Sequence, residues 1–153
     1  MHYGAHQDQY VQFYEPERII ARGAVMIIHG GYWREKYTAS LGVPLAQDLA
    51  ARGIPAYNLE YRRGPGSAAK MLADARLALG LVKEDGPITL MGHSAGAQLA
   101  CVLAAHDQRV SQVISQAGVL DLDTAQRLKL SDGAVEEMLG GAPLGACNPV
   151  ELW

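Results

Sequence analysis

Leu90-Met91-Gly92-His93-Ser94-Ala95-Gly96-Ala97-Gln98-Leu99 sets a serine between two glycines, after an apolar run and before an alanine-rich one. Two readings fit. In one, Ser94 caps a helix with its hydroxyl and the glycines belong to an ordinary turn. In the other, the chain passes from strand to helix in a single residue, a strained bend in which side chains two positions either side would collide. The second reading needs a strand before and a helix after. Ile88-Thr89-Leu90-Met91 is a short β-prone apolar run, and Ala95 to Ala105 stacks Leu99, Val102 and Leu103 on one stripe. On this reading the Ser94 hydroxyl projects above the carboxyl edge of a sheet, with the Ala95 amide beside it at the positive end of a helix. Gly96, Ala97 and Ala100 let that helix lie close against the sheet.

Outward from this stretch the same rhythm repeats. Ala24-Val25-Met26-Ile27-Ile28 is apolar throughout, as expected for a strand covered on both faces. Pro55 to Tyr61 and Val110 to Ser115 read as further strands. Helices are expected over Pro44 to Ala51, Ala68 to Val82 and Gly133 to Leu139, the first stopped by Gly53 and the last by Gly140-Gly141. Strand and helix in alternation imply right-handed crossovers and a doubly wound, mostly parallel α/β sheet. Tyr10 to Tyr14 reads as an added antiparallel edge strand. No linker or repeat divides residues 1–153, which read as one domain.

A second glycine pair follows the first strong strand, in His29-Gly30-Gly31-Tyr32-Trp33. In a parallel sheet this loop lies at the same carboxyl edge as Ser94, and its glycines leave backbone amides open to a ligand. Two amides from it and that of Ala95 would complete an oxyanion hole; a plain strand-to-loop turn is the simpler alternative. Trp33 and Tyr32 either line a substrate pocket or cover the sheet edge. Neither motif supplies G-x-G-x-x-G, and no G-x-x-x-x-G-K-[ST] is present, so nucleotide binding is not indicated.

With 49% hydrophobic and 19% charged residues, the chain reads as a soluble globular protein. A net charge of −3, with acids and bases interspersed, gives no footprint for nucleic acid or an anionic membrane. No apolar run is long enough for a membrane span, and the polar start does not read as a signal peptide. Cys101 and Cys147, the first in an apolar helical run, argue for a small core residue and a reducing cytoplasm instead of a disulfide framework.

HGGYW, then EYRR after the next strand, then GHSAG, then QAGVLDL, resemble in order the α/β-hydrolase superfamily, and within it the kynurenine formamidase and hormone-sensitive-lipase-like esterase branch. The resemblance implies a serine hydrolase of small carboxylic esters or N-formyl amides that needs neither metal nor organic cofactor. It makes Ser94 the nucleophile and the amides of Gly31, Tyr32 and Ala95 the oxyanion hole. It makes His29 a brace for the oxyanion loop, with Gly30, Gly92 and Gly96 in support and Trp33 at the substrate pocket.

The resemblance also implies two later strands bearing an acid and a histidine, so the 153 residues read as a C-terminally truncated hydrolase domain. A serine needs a base to take its proton. None of the five histidines reads as that base: His29 belongs to the oxyanion loop, His93 should turn its ring away into packing, and His106 should cap its helix. His2 and His6 lie near the amino terminus and do not read as a metal pair. Asp121 and Asp123, after the fourth strand, are expected to cap the next turn, with the triad acid as the alternative role. Asp74 is expected to make a surface or capping contact, and Arg62 and Arg63 to be solvated or to bind a substrate carboxylate. The alternative is a non-catalytic remnant. In either case the fourth strand of the α/β series is an open edge, which implies a homo-oligomer or a partner chain paired there.

Overall fold

The computed structural model describes all residues from Met1 to Trp153. Five strands form one sheet: β1 (Tyr10–Tyr14), β2 (Ala24–Ile28), β3 (Ala56–Glu60), β4 (Ile88–His93) and β5 (Val110–Gln116), in the order β1-β3-β2-β4-β5. β1 is antiparallel to β3 and every other pairing is parallel. The expected doubly wound, mostly parallel α/β sheet with an antiparallel edge is the one found.

The burial of β2 explains its unbroken apolar run. All five of its residues are buried, with Ala24, Met26 and Ile28 facing one layer and Val25 and Ile27 the other. On the second face α1 (Val43–Ala51) brings Ala46 and Leu49 against Val25, Ile27 and Ala56. Opposite, α2 (Ala68–Leu79) and α3 (Ala95–His106) pack Met71, Ala75, Leu79, Leu99 and Leu103 onto Met26, Ile28, Leu59 and Leu90. Each of these large side chains is worth about 1.5–3 kcal/mol when removed from water, so the α3 face holds most of the stabilisation.

The last segment returns over the α3 face through α4 (Leu122–Arg127) and α5 (Leu130–Leu139), which bury Leu122, Ala125, Val135 and Met138. α4 was not legible: its six residues bury only two apolar side chains. Ser131, Asp132 and Gly133 have left-handed backbone, so regular α5 starts after Gly133, and Gly140 stops it in the left-handed region. α2 ends three residues short of Val82, where the chain tightens into a turn as Leu81 and Val82 donate to Ala78 and Leu79. No helix is long and apolar enough to cross a membrane. β5, at the free edge, has three half-buried and four exposed or edge-facing polar-rich positions in VSQVISQ and carries no charge.

Candidate active site

Sheet register assembles this site. Ile28 pairs with Leu59 on one side and Gly92 on the other, so Glu60, His29 and His93 form the next row, and Gly30 and Ser94 lie just beyond it. Residues 30 and 94 thus meet although they stand sixty-four positions apart in sequence, because β2 and β4 are neighbours in space.

Ser94 alone joins β4 to α3, with φ 52° and ψ −117°. A non-glycine residue there costs about 1–3 kcal/mol unless its surroundings over-determine it. They do. The Ser94 N–H donates to Gln116 O at 2.8 Å, and its carbonyl accepts from Ala97 at 3.0 Å and Val119 at 3.3 Å. The flanking glycines are sterically required: a Cβ at Gly92 would lie 2.4 Å from Ala97 Cα, and one at Gly96 would lie 2.1 Å from Ile28 O. The capping alternative is not what the bend does, since the Ser94 side chain makes no capping bond.

The loop after β2 presses on this bend. A Cβ at Gly30 would lie 2.6 Å from His93 O and 3.0 Å from Ser94 Cβ. Beyond it the backbone stays at positive φ through Gly31 (116°), Tyr32 (49°) and Trp33 (58°). Trp33 holds that path: it is 2% exposed, its Nε1 donates to Gln98 Oε1 at 3.0 Å, and its carbonyl accepts from Gly64 at 2.7 Å. Gln98 in turn donates to Cys147 O at 2.7 Å. The N–H groups of Gly31, Tyr32 and Ala95 have no acceptor within the protein. Free amides flanking an unbonded hydroxyl can receive a carbonyl oxygen as it gains negative charge.

Beneath the loop lies a buried ion cluster. His29 Nε2 is 3.0 Å from Glu60 Oε1, its Nδ1 is 2.8 Å from Gly30 O, and its ring stacks on Tyr61 at 4.7 Å. Glu60 Oε1 also accepts from Arg63 at 2.6 Å, and Oε2 from the Ala39 N–H at 2.8 Å. Burial opposes the charge on Glu60, but the bonds from His29, Ala39 and Arg63 outweigh it and hold the carboxyl below its ordinary value. Burial pushes the Tyr61 hydroxyl well above its ordinary range, and that hydroxyl donates to His29 O at 2.8 Å.

Several expectations need correction. Trp33 does not line a pocket; it is a core residue anchored to α3. His93 is exposed and not turned into packing, because alternation along β4 sends it to the face that α1 leaves bare. There it borders a groove of about 440 Å³ with Leu41, Pro44, Leu45, Met91 and Gln116. A groove of about 510 Å³ near Arg18 and Arg52 lies away from Ser94, at the amino ends of the parallel strands. Arg63 is buried and not solvated, Arg62 keeps its side chain about 30% exposed, and both are already paired with carboxylates of the protein. Arg63 is 8% exposed on Glu60, and Arg62 donates to Asp74 at 2.6 Å. Asp74 is fully buried, not a surface contact, and also accepts from Gln9 at 2.7 Å. Cys101 is half-buried.

Other placements agree with the reading. His106 Nδ1 bonds the Val102 carbonyl in the last turn of α3, and Asp121 accepts from the Thr124 N–H as the N-cap of α4. No imidazole hydrogen-bonds Ser94 Oγ; both nitrogens of His29 already face acceptors. Glu60 and Gln98 are the site residues that sequence reasoning missed. Gln98 is a lone polar side chain in an otherwise apolar or small run of α3, a signal that could have found it. Glu60 shares its strand with buried Asn58 and precedes two arginines, so its role was masked.

No protein-family model matches the chain, and no curated protein matches it. Among solved structures it is similar to esterase B from Lactobacillus rhamnosis (20% identity, TM-score 0.82, 99% of this chain and 59% of that one). It is similar to a bacterial heroin esterase (26% identity, TM-score 0.68, 86% of this chain and 50% of that one). It is also similar to EstE5 (17% identity, TM-score 0.64, 91% of this chain and 55% of that one). The chain therefore spans between half and three-fifths of the length of these proteins. Five strands in this order, wound on both faces and bent sharply at Ser94, give this chain the α/β-hydrolase fold.

Proposed function

We propose that Ser94 is the nucleophile of a serine hydrolase acting on small carboxylic esters or N-formyl amides, an esterase with arylformamidase-like substrates within reach. The observation that carries this reading is the Ser94 backbone, strained at φ 52° and ψ −117° beside a loop whose amides are unbonded. Ser94 Oγ attacks the carbonyl carbon, and its proton passes through a general base to the departing alcohol or amine; no side chain among residues 1–153 hydrogen-bonds Oγ to act as that base. The carbonyl oxygen takes the electron pair and is held by the N–H groups of Gly31, Tyr32 and Ala95. Collapse expels the alcohol or amine and leaves an acyl-serine, which water then clears. The similar structures support the class: one shows esterase B with a tributyrin phosphonate, and EstE5 was soaked with p-nitrophenyl butyrate.

A fluorophosphonate probe tests the nucleophile. Labelling of the parent and none of Ser94→Ala is expected, and p-nitrophenyl butyrate against an N-formyl aryl amine then separates esterase from formamidase. Equal labelling of both proteins, or of neither, refutes the reading.

A second reading rests on a different observation. No base bonds Ser94 Oγ, and β5 presents an uncharged open edge. We propose for this case a binding or assembling module that pairs through β5 with a second copy or a partner chain and does not turn over. Probe labelling without turnover, or with neither, separates it from the hydrolase.

A further inference from the structure

Glu60 ends a fully buried strand and is itself 1% exposed, a place where a carboxylate is costly unless its oxygens are matched by donors. Its donors are not scattered. The residues that follow β2, from His29 to Ala39, leave the sheet, cross above it and return. Glu60 grips both ends of that excursion: Oε1 takes His29 Nε2 at 3.0 Å where it begins, and Oε2 takes the Ala39 N–H at 2.8 Å where it ends. Arg63, held on Oε1 at 2.6 Å, reaches the middle through Nη2 to Glu35 O at 3.1 Å. Tyr61 adds its hydroxyl on His29 O at 2.8 Å. The β-sheet has its own ladder on β3 and does not need these bonds. What does need them is the stretch between, where Gly31, Tyr32 and Trp33 run at positive φ with Gly31 and Tyr32 amides unbonded.

We propose that Glu60 is a positioning residue: it clamps both ends of the 29–39 loop and so fixes where the Gly31 and Tyr32 amides stand relative to Ser94. The loop's order follows from the clamp alone; its value for chemistry rests on the hydrolase reading above. A carboxylate one atom shorter cannot span His29 and Ala39 together, and a carboxamide offers one acceptor where two are used.

The test is residue-resolved amide hydrogen exchange on the parent, Glu60→Gln and Glu60→Asp, paired with the rate of fluorophosphonate labelling at Ser94. Exchange over residues 30–39 is expected to quicken tenfold or more in both variants while β4 and the body of α3 keep the parent's rates. Labelling should slow by a similar factor. Should Glu60→Gln fail to fold, Glu60→Asp keeps the charge and carries the test. Unchanged exchange over 30–39, or a rise spread evenly over the protein, overturns the proposal, the second because it marks a merely structural role. Loop exchange that responds while the parent's Ser94 takes no label supports the clamp and refutes the hydrolase reading, so the two failures are told apart.

Discussion

Gly96→Ala probes the closeness of α3 to β2, on which the whole site depends. A methyl at residue 96 would sit 2.1 Å from Ile28 O and 2.5 Å from His29 O, both backbone atoms that cannot rotate aside. Relief to a 3.0 Å contact requires α3 to lift by about 0.9 Å from the strand end. A gap of that size forfeits roughly a quarter to a half of the dispersion contacts across it. Leu99, Val102 and Leu103 line the lifted helix and are each at most 2% exposed. At about 2 kcal/mol apiece, a quarter lost from each gives about 1.5 kcal/mol, and the strain of overpacking brings the cost to about 3 kcal/mol. Against this, replacing glycine by alanine in a helix gains at most about 1 kcal/mol.

The expected net loss is about 2 kcal/mol, a fall in Tm of about 4–8 °C for a chain of this size. Thermal unfolding followed by circular dichroism at neutral pH measures it. The sign is decisive, since helix propensity acting alone would raise Tm. An unchanged or higher Tm in Gly96→Ala would mean that α3 stands off the end of β2. Ala95 would then not neighbour the glycine loop, and the oxyanion-hole argument would fail with it.

Ser94→Gly should raise Tm by about 2–4 °C, because glycine relieves about 1–3 kcal/mol of strain at φ 52° and gives back about 0.5–1 kcal/mol in chain entropy. Ser94→Ala should leave Tm near the parent's, and a Ser94→Gly protein less stable than Ser94→Ala would contradict the strained bend. Glu60, held below its ordinary 4.5 when folded, stabilises the fold above that value and loses the contribution as pH falls below 4.5 through the lower folded-state value. Tm of the parent should therefore drop more steeply than that of Glu60→Gln as pH falls below 4.5; parallel curves refute this. Tyr57, pushed up to about 12 by burial and then by its bond to Glu84, acts at the other limb. Its contribution holds below the ordinary 10 and is lost as pH rises, so Tyr57→Phe should flatten the alkaline decline. If β5 pairs with a second copy, light scattering should show a dimer that Gln112→Lys at the exposed edge converts to monomer, and a monomeric parent refutes that pairing.

Local pattern carried the reading wherever a neighbour in sequence decides the structure. The apolar run of β2, the stripe on α3 and the glycines at 92 and 96 each follow from contacts within a few residues or from one buried face. The ion cluster did not. Arg62 reaches Asp74 twelve positions on, Glu60 reaches His29 thirty-one back, and Asp74 reaches Gln9 sixty-five back. The Glu60–His29 pair exists because β3 lies beside β2, an adjacency that no local pattern announces. Without that order, EYRR looks like the solvated start of a loop. Trp33 was misread for a related reason: its burial depends on two residues taking positive φ, which neither Tyr nor Trp advertises.

Register, more than any one side chain, therefore makes the site. The Leu59–Ile28–Gly92 row sets what leaves the sheet next: a clamp from β3, a glycine loop from β2 and a sharp bend from β4. Slip β4 by one residue against β2 and each of its side chains changes face; His93 would point toward α3 and Ser94 would leave Gly30. The sheet resists that slip because Ile88 and Leu90 are buried on the α3 side, while Thr89, Met91 and His93 face the barer one. The apolar pattern that folds β4, with Leu90 fully buried, is thus the same constraint that delivers Ser94 to the loop, and the strain at Ser94 persists because its N–H and carbonyl are held by Gln116, Ala97 and Val119.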